Sequence, residues 1–583
     1  MDVPAALAAI EAGATADAVE SRTLEFKREG GSKPDTVKDL AEAVACLANA
    51  QGGVVVVGVR DRVRGAEAFE GTDLDAEVLL RRIYELTVPA LTVTVEVLNH
   101  RESRLLIIRV PRSVDVHQVD NRATRRVGKG CEPMTATQIA GLLAERRGED
   151  WSSEDSGRAP DDVSASALDR ARSLLRVSPD PARRPYAGES DLDLLRILGV
   201  MTPAGTLSRA GELLLCDPPE SRPLIVYQYR RTSAGEPVVT RPEGPLLTAL
   251  LRTLELVSTR LDTTPVNLPG GQQVQLADLP EAAVREAIAN AVIHRDYRLT
   301  GPVAVEHAPT RLAVSSPGPL VQGVTVDNIL TTSSRPRNPQ LAKAVRILGL
   351  AEEAGVGVDR MYREMVSVGH EPPTFEESSD QVRVSLLGGA PNAHLTRFVA
   401  TLPAAEARDA DAMIILFTLL SKRVVSAATL AGLLQKSESE VEAVLRRLAA
   451  EPAAMLEPTR ETVRNIHPNY RLREHVISAL GPAVTYRRRT TDEYDRKIVQ
   501  LVGEVGSINS RIVKIALDLE TTAASRVLAD LVERQILTKT SEATRGPSVT
   551  YGPGSLFPKP SRKRRGPRSK ADSSVVADDD LLL

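Results

Sequence analysis

The sequence predicts a multidomain α/β protein that ends in two helix-rich units. Three observations predict it. Short apolar strands alternate with an amphipathic helix from Thr23 to about Gly148. A helix over 285–297, apolar nearly all round, stands in the middle of the chain. From about residue 408 the pattern changes to short helices and turns. A chain of 583 residues is long enough for about three to five domains.

Bulk properties exclude more than they assign. Hydrophobic content of 42% and charged content of 26% are ordinary for a globular chain. Aromatic residues make up 3%, with one Trp, Trp151, which is thin for stacking bases on aromatic platforms. No run of eighteen apolar residues exists, so no membrane span is expected. No basic segment leads into an apolar run at the N-terminus, so no secretory signal is expected. Cys46, Cys131 and Cys216 lie far apart and match no zinc spacing. A reducing, cytoplasmic setting fits, and nucleoid association is compatible with it.

The elements follow in order. Thr23–Lys27 alternates as a strand, with Leu24 and Phe26 on one face and Glu25 and Lys27 on the other. Asp35–Ala48 is an amphipathic helix that turns Val37, Leu40, Ala41, Val44 and Leu47 inward. Gly52-Gly53 breaks the chain before a buried strand, Val54–Val59. Leu91–Val97 and Arg104–Val110 read as further strands. This module spans 20–147, and 148–163, rich in Ser, Asp, Glu and Gly, reads as a linker. A connecting region, 164–275, holds a helix near 190–198 and a strand near Ile225–Arg230. The apolar-helix module runs over 276–392, and two helical units span 408–480 and 490–555. The tail, 556–583, is of low complexity and is expected to be disordered.

Glu20, Glu25 and Asp61 form the first candidate site. Three carboxylates can hold Mg2+ or Mn2+, and Lys27 can face a phosphate. The alternative is a plain Glu25–Lys27 ion pair beside a solvated loop aspartate. The surrounding strings, Glu25-Phe26-Lys27, Ala48-Asn49-Ala50-Gln51-Gly52-Gly53, Gly58-Val59-Arg60-Asp61 and Arg126-Val127-Gly128, resemble the Schlafen-type AlbA domain over roughly 20–145. The resemblance implies that Glu20, Glu25 and Asp61 match the metal-dependent RNA-cutting site of the Schlafen nucleases. Bacterial members also keep the Glu-Phe-Lys strand in regulators.

The middle helix carries the second candidate. Glu286, Asn290 and His294 are spaced four apart and form one line on it. A polar line on a buried helix must find partners. A nucleotide and its metal would provide them, with Asn290 as metal ligand and Glu286 as base for water. The alternative is a narrow solvent stripe. Residues 285–297 resemble the N-box of bacterial AlbA-domain regulators labelled RecG-like, whose second half is similar to the GHKL ATP-binding fold of histidine kinases and gyrase B. The match continues through Arg311–Val314, Ser316–Leu320, Arg337-Asn338-Pro339 and 349–357. It implies ATP with Mg2+ as cofactor, Arg337 and Asn338 in a lid, and Gly355 and Gly357 at the phosphates. One departure stands out: where the family has an adenine-reading Asp, this chain has Ser315-Ser316-Pro317-Gly318. ATP hydrolysis through Glu286 is therefore the weaker expectation. No Gly-x4-Gly-Lys-Ser/Thr loop is present, so helicase activity is not expected.

The C-terminal part reads as nucleic-acid binding. Residues 411–472 give three short helices and a β segment, a winged-helix pattern, with Ser437–Glu440 as a capping box. Residues 493–551 repeat the pattern, with Thr521 as a helix cap. Arg526 and Arg534 sit on its recognition helix, and Lys539 and Arg545 on its wing, suited to phosphates. Glu438, Glu440 and Glu442 would repel phosphate from the first unit, which favours a protein-interaction role there. The tail residues Arg562, Lys563, Arg564 and Arg565 read as a polyanion-binding run or a solubilising one. The function expected is DNA-binding transcriptional control modulated by nucleotide. The alternative is a Schlafen-like nuclease acting on RNA or DNA, with a place in phage defence. DNA is the expected partner, RNA is compatible, and so is a homo-oligomer.

Overall fold

The structure is a computed structural model that describes residues 2–218, 223–232, 235–333, 335–351, 357–459, 461–485, 491–517, 519–541 and 548–557. The chain divides into two compact units, Met1–Val484 and Thr485–Leu583, and each is described by itself.

The first sheet is built from β1 (Leu24–Lys27), β2 (Gly53–Val57), β3 (Thr94–His100) and β4 (Ser103–Val110), in the order β1-β2-β4-β3. β1 and β2 are parallel, with Leu24 beside Val54, so a crossover must join them. The helix Lys33–Ala48 is that crossover. Ser32 caps its start by accepting from the Asp35 amide, and Val37, Leu40, Ala41, Val44 and Leu47 are buried on one sheet face. The helix Val3–Glu11 covers the other face with Ala6, Leu7 and Ile10, against Leu24 and Phe26. Gly52 takes φ +77°, and a Cβ there would come within 2.6 Å of the Val110 carbonyl oxygen. The strand expected over Leu91–Val97 begins later, at Thr94, because Leu91 and Val93 are spent on the core before pairing starts.

A hairpin, β5 (Thr124–Val127) and β6 (Gly130–Pro133), follows and is tied back by a Cys46–Cys131 disulfide. The spacing of 85 residues concealed this pairing. The fold brings the helix and hairpin together, so two of the three cysteines are a structural cross-link. The helix Ala136–Arg146 closes the module behind a Thr135/Gln138 capping box.

The second sheet has six strands. They are β7 (Ile225–Tyr229), β8 (Val238–Thr240), and, after a separate hairpin of β9 (Thr263–Asn267) and β10 (Gln273–Ala277), β11 (Val303–Ala308), β12 (Arg311–Pro317), β13 (Thr374–Glu377) and β14 (Gln381–Leu387). Their order is β13-β14-β12-β11-β7-β8, with only β7 and β11 parallel among the described pairs. β11 alternates buried and half-buried residues, as a sheet covered chiefly on one face does. The helix Glu281–His294 packs on that face, with Ala283, Val284, Ala287, Ile288, Ala291 and Val292 in the core. Helices from 165 to 258 contribute Leu168, Leu194, Leu214 and Leu250 to the same core. The connecting region and the middle module therefore share one interior.

Segment 148–163 is packed rather than loose. It forms two short 3-10 turns, Trp151–Ser153 and Pro160–Asp162, with Ser152 fully buried. Trp151 stacks on Tyr297 with ring centroids 5.5 Å apart. Arg209 lies 5.2 Å from the Trp151 centroid and Arg295 lies 4.5 Å from that of Tyr297. Asp150 and Ser152 accept from the Gln340 and Leu341 amides, at 3.0 and 3.2 Å, satisfying donors at the start of the helix Pro339–Ile347.

Three helices, Ala410–Ser421, Ala427–Leu434 and Glu438–Ala449, precede β15 (Leu456–Pro458) and β16 (Tyr470–Leu472). The Ser437/Glu440 capping box is formed. Glu442 is buried and accepts from Tyr470 Oη and Arg446 Nε, each at 3.0 Å, so only Glu438 and Glu440 remain on the helix surface. In the second unit the helices Thr491–Val505, Ser510–Leu517 and Thr521–Glu533 pack with β17 (Ile508–Asn509), β18 (Leu537–Lys539) and β19 (Thr550–Pro553). Thr521 is the first helical residue there, not the cap. Glu520 takes the cap position, and its side chain makes no capping hydrogen bond.

Candidate functional site

The helix Glu281–His294 leaves one stripe uncovered by the core, and the polar line falls on it. Glu286, Asn290 and His294 all face a cavity of about 1100 Å3, counted to its open mouth. Its floor is Val314 and Ser316 of β12 with Val382 and Val384 of β14. Gly357, Val358 and Met361 close one side, and the 318–333 segment closes the other.

Glu286 is buried, and burial pushes its carboxyl above the usual range. The nearby Arg360 charge and a hydrogen bond from Asn290 oppose that shift. Gly357 lies directly against the carboxyl, and a Cβ at that position would overlap it. Gly357 therefore serves by its small size. Gly355 lies outside the described residues. Burial, with Arg337 and Arg346 nearby, lowers His294 to about 4, so its ring is neutral at pH 7.

The expected lid pair does a different job. Asn338 is buried, and its Nδ2 donates to the Ile293 and Arg295 carbonyls, both at 2.8 Å. Arg337 donates to the His294 carbonyl at 3.1 Å and the Pro319 carbonyl at 2.7 Å, and pairs with Glu145 at 3.1 Å. The end of the polar helix has orphan carbonyls, and these two side chains satisfy them. Neither lines the cavity. Arg335 and Arg346 do, and the sequence reading named neither. Arg335 stands two residues before Arg337, so the Arg-Pro-Arg string held the signal without saying which arginine faces inward.

At the Ser315–Gly318 string, Ser316 donates to the Ala291 carbonyl at 2.7 Å. The nearest buried aspartate is Asp296. It packs beside Gly318 and lines a smaller hollow with Arg125, Glu145 and Arg337.

The acidic site is differently arranged from its expectation. Glu25 is buried, ion-paired to Arg126 and, at 2.7 Å, to Lys27. Glu20 accepts from the Phe26 amide at 3.0 Å, and burial raises its pKa. Asp61 is exposed, with its charge felt at Lys27. Among the described residues no group of three or more His, Cys, Asp or Glu side chains is placed to hold a metal ion. Arg126, from the Arg126-Val127-Gly128 string, is the partner the sequence did not assign.

On the second unit, Arg526 is exposed on the helix Thr521–Glu533 and Lys539 is exposed on β18. Arg534 is held by Asp495 at 2.6 Å and Asp530 at 3.0 Å, which offsets its charge. Arg545, Arg562, Lys563, Arg564 and Arg565 lie outside the described residues. Among the described residues no helix is long and apolar enough to cross a membrane.

Residues 20–135 match the family described as "Schlafen, AlbA_2". Residues 301–386 match the family described as "Putative ATP-dependent DNA helicase recG C-terminal". That span holds β11 to β14 and the 318–333 segment, but not the helix with Glu286 and Asn290. Among solved structures, the crystal structure of the DIP2311 protein from Corynebacterium diphtheriae is similar at 27% identity and TM-score 0.50, covering 82% of this chain and 98% of that one. No curated protein matches. The chain carries a Schlafen AlbA_2 domain followed by a RecG C-terminal, ATPase-like domain.

Proposed function

We propose that this is a nucleic-acid-binding regulator whose middle module takes a nucleoside triphosphate with Mg2+. One observation carries the reading. An open cavity brings Glu286 and Asn290 together with two guanidinium groups, Arg335 and Arg346. The arginines suit phosphate oxygens, and Asn290 supplies an oxygen for the metal with Glu286 beside it. The nucleotide would supply a polyphosphate whose charge these groups recognise. The sheet with its covering helix is read as GHKL-like, and the two C-terminal units as winged helices. DNA is then contacted through Arg526 and Lys539.

With the Ser316 hydroxyl bonded to the Ala291 carbonyl where the resemblance implies an adenine-reading Asp, the base is read weakly and the phosphates dominate. Mg-ATP and Mg-GTP should therefore bind within a few-fold of each other. Isothermal calorimetry tests this, with Asn290→Ala as the control that loses the heat. No heat from either nucleotide would sink the reading. The rival reading, a nuclease at Glu20, Glu25 and Asp61, draws on the AlbA_2 match, but Glu25 is already neutralised by Arg126 and Lys27. Manganese-dependent RNA cleavage lost in Glu25→Ala would restore it.

A further inference from the structure

The 318–333 segment walls the cavity with Pro319, Leu320, Val321, Val324 and Ile329. Within the middle module Arg337 donates to its Pro319 carbonyl and its Gly318 amide donates to the Asp380 carbonyl, both at 2.7 Å, and further contacts lead away from the cavity in two directions. On one side the AlbA_2 module holds it. The Gln322 amide donates to Glu145, and Arg125 reaches the Leu320 carbonyl at 3.5 Å. The Leu320 amide donates to Glu377 at 3.1 Å, and Glu377 is paired to Arg22 of the same module at 2.6 Å.

On the other side Gln435 of the 410–472 unit holds it. Gln435 Oε1 accepts from the Leu330 amide at 2.8 Å, and its Nε2 donates to the Val326 carbonyl at 2.7 Å. Gln435 therefore pairs with the segment as a second peptide unit would. It ends the helix Ala427–Leu434 at φ +55°, a conformation that glycine or asparagine takes more readily. A glutamine there is accounted for by what its side chain reaches. Between the two anchors the segment is internally braced. Asn328 accepts from the Thr325 amide at 2.7 Å and donates to the Gly323 carbonyl at 3.0 Å.

We infer that 318–333 is a coupling element, through which occupancy of the cavity and the state of the 410–472 unit are felt by each other, with Gln435 as the positioning residue. The identity of the occupant rests on the nucleotide reading above; the mechanical link does not. A ligand that displaces the wall must stretch or break the Gln435 pairing, and by linkage a change at the helices alters ligand affinity.

Hydrogen exchange on the full chain tests both parts separately. Gln435→Asn keeps a residue that tolerates the left-handed backbone but is one methylene too short. Gln435→Gly is the second variant should the first fold poorly. Without nucleotide, the Leu330 amide should exchange about tenfold faster in either variant, the size of one lost hydrogen bond. With Mg-ATP, wild type should change its exchange over 427–449, and the variants should change only around the cavity. Unchanged Leu330 exchange without nucleotide overturns the link, as does an equal response over 427–449 in wild type and variant. If Mg-ATP alters nothing in wild type, the nucleotide reading fails and the nucleotide-free comparison alone decides the link.

Discussion

Gly357 stands against the carboxyl group of Glu286, with no room between them for a methyl group. The Gly357→Ala protein must move that carboxyl or the helix Gly357–Ser367. Nucleotide affinity should fall by at least about tenfold, and stability by about 1–3 kcal/mol. Calorimetry and a denaturant titration on the same preparation read the two effects. Unaltered affinity would mean that Glu286 is not positioned by this contact.

Asn338 and Arg335, three residues apart, should behave as opposites. Asn338→Ala removes the donor from two buried carbonyls and should cost about 2–4 kcal/mol in denaturant unfolding. Arg335 is exposed on the cavity rim, so Arg335→Ala should leave stability nearly unchanged and weaken nucleotide binding. A binding defect in Asn338→Ala without loss of stability would return that residue to the lid.

Two histidines, His307 buried and His294 half-buried at the cavity, make the fold sensitive to acid. His294 and His307 are each lowered from 6.5 to about 4 by burial. Below pH 6.5 the unfolded chain takes up protons that the folded chain refuses. Their stabilisation is complete above that pH and is lost as pH falls through about 4. Each contributes a slope of at most about 1.4 kcal/mol per pH unit. Urea midpoints from pH 7 to 4 should show His294→Gln losing one such share. Glu286 acts in the opposite sense. Its raised pKa gives stability that is present below the ordinary carboxylate pKa and lost as pH rises through the folded value. Glu286→Gln should therefore stabilise the protein at neutral pH and leave it unchanged in acid.

On the second unit, Arg526 and Arg534 separate binding from folding. Arg526→Ala should weaken DNA binding and reduce the slope of log affinity against log salt by about one. Arg534→Ala should leave that slope intact and destabilise the unit, because Asp495 is buried and loses its partner. Filter binding across a salt series and thermal melting distinguish the outcomes.

What could be read from the sequence was what depends on period and short motifs. The helix Lys33–Ala48 announced itself through its inward apolar residues, and the line Glu286, Asn290, His294 through its spacing of four. What could not be read was direction. Arg335 and Arg337 are identical in type and two apart, yet one faces the cavity and the other braces a helix end. The same limit hid Arg126 as the partner of Glu25, and Cys131 as that of Cys46. Each is a contact between residues far apart in the chain, set by how the hairpin β5–β6 folds back.

Trp151 is the single tryptophan, so its emission reports one place. Tyr297→Leu should shift that emission and cost about 1–2 kcal/mol, since the ring lies between Trp151 and Arg295. An unmoved spectrum would mean that the rings do not stack.

That same layering of Arg209, Trp151, Tyr297 and Arg295 bears on how such a protein can be inherited. A polar stretch between modules is ordinarily a seam at which genes are cut and rejoined. Here the seam is stitched: a chain severed near residue 150 would strip a ring partner from Tyr297 and an acceptor from Gln340. Exchange of the AlbA_2 module among proteins would have to carry the 148–163 segment with the middle module, or bring a replacement that presents the same ring and the same carboxylate.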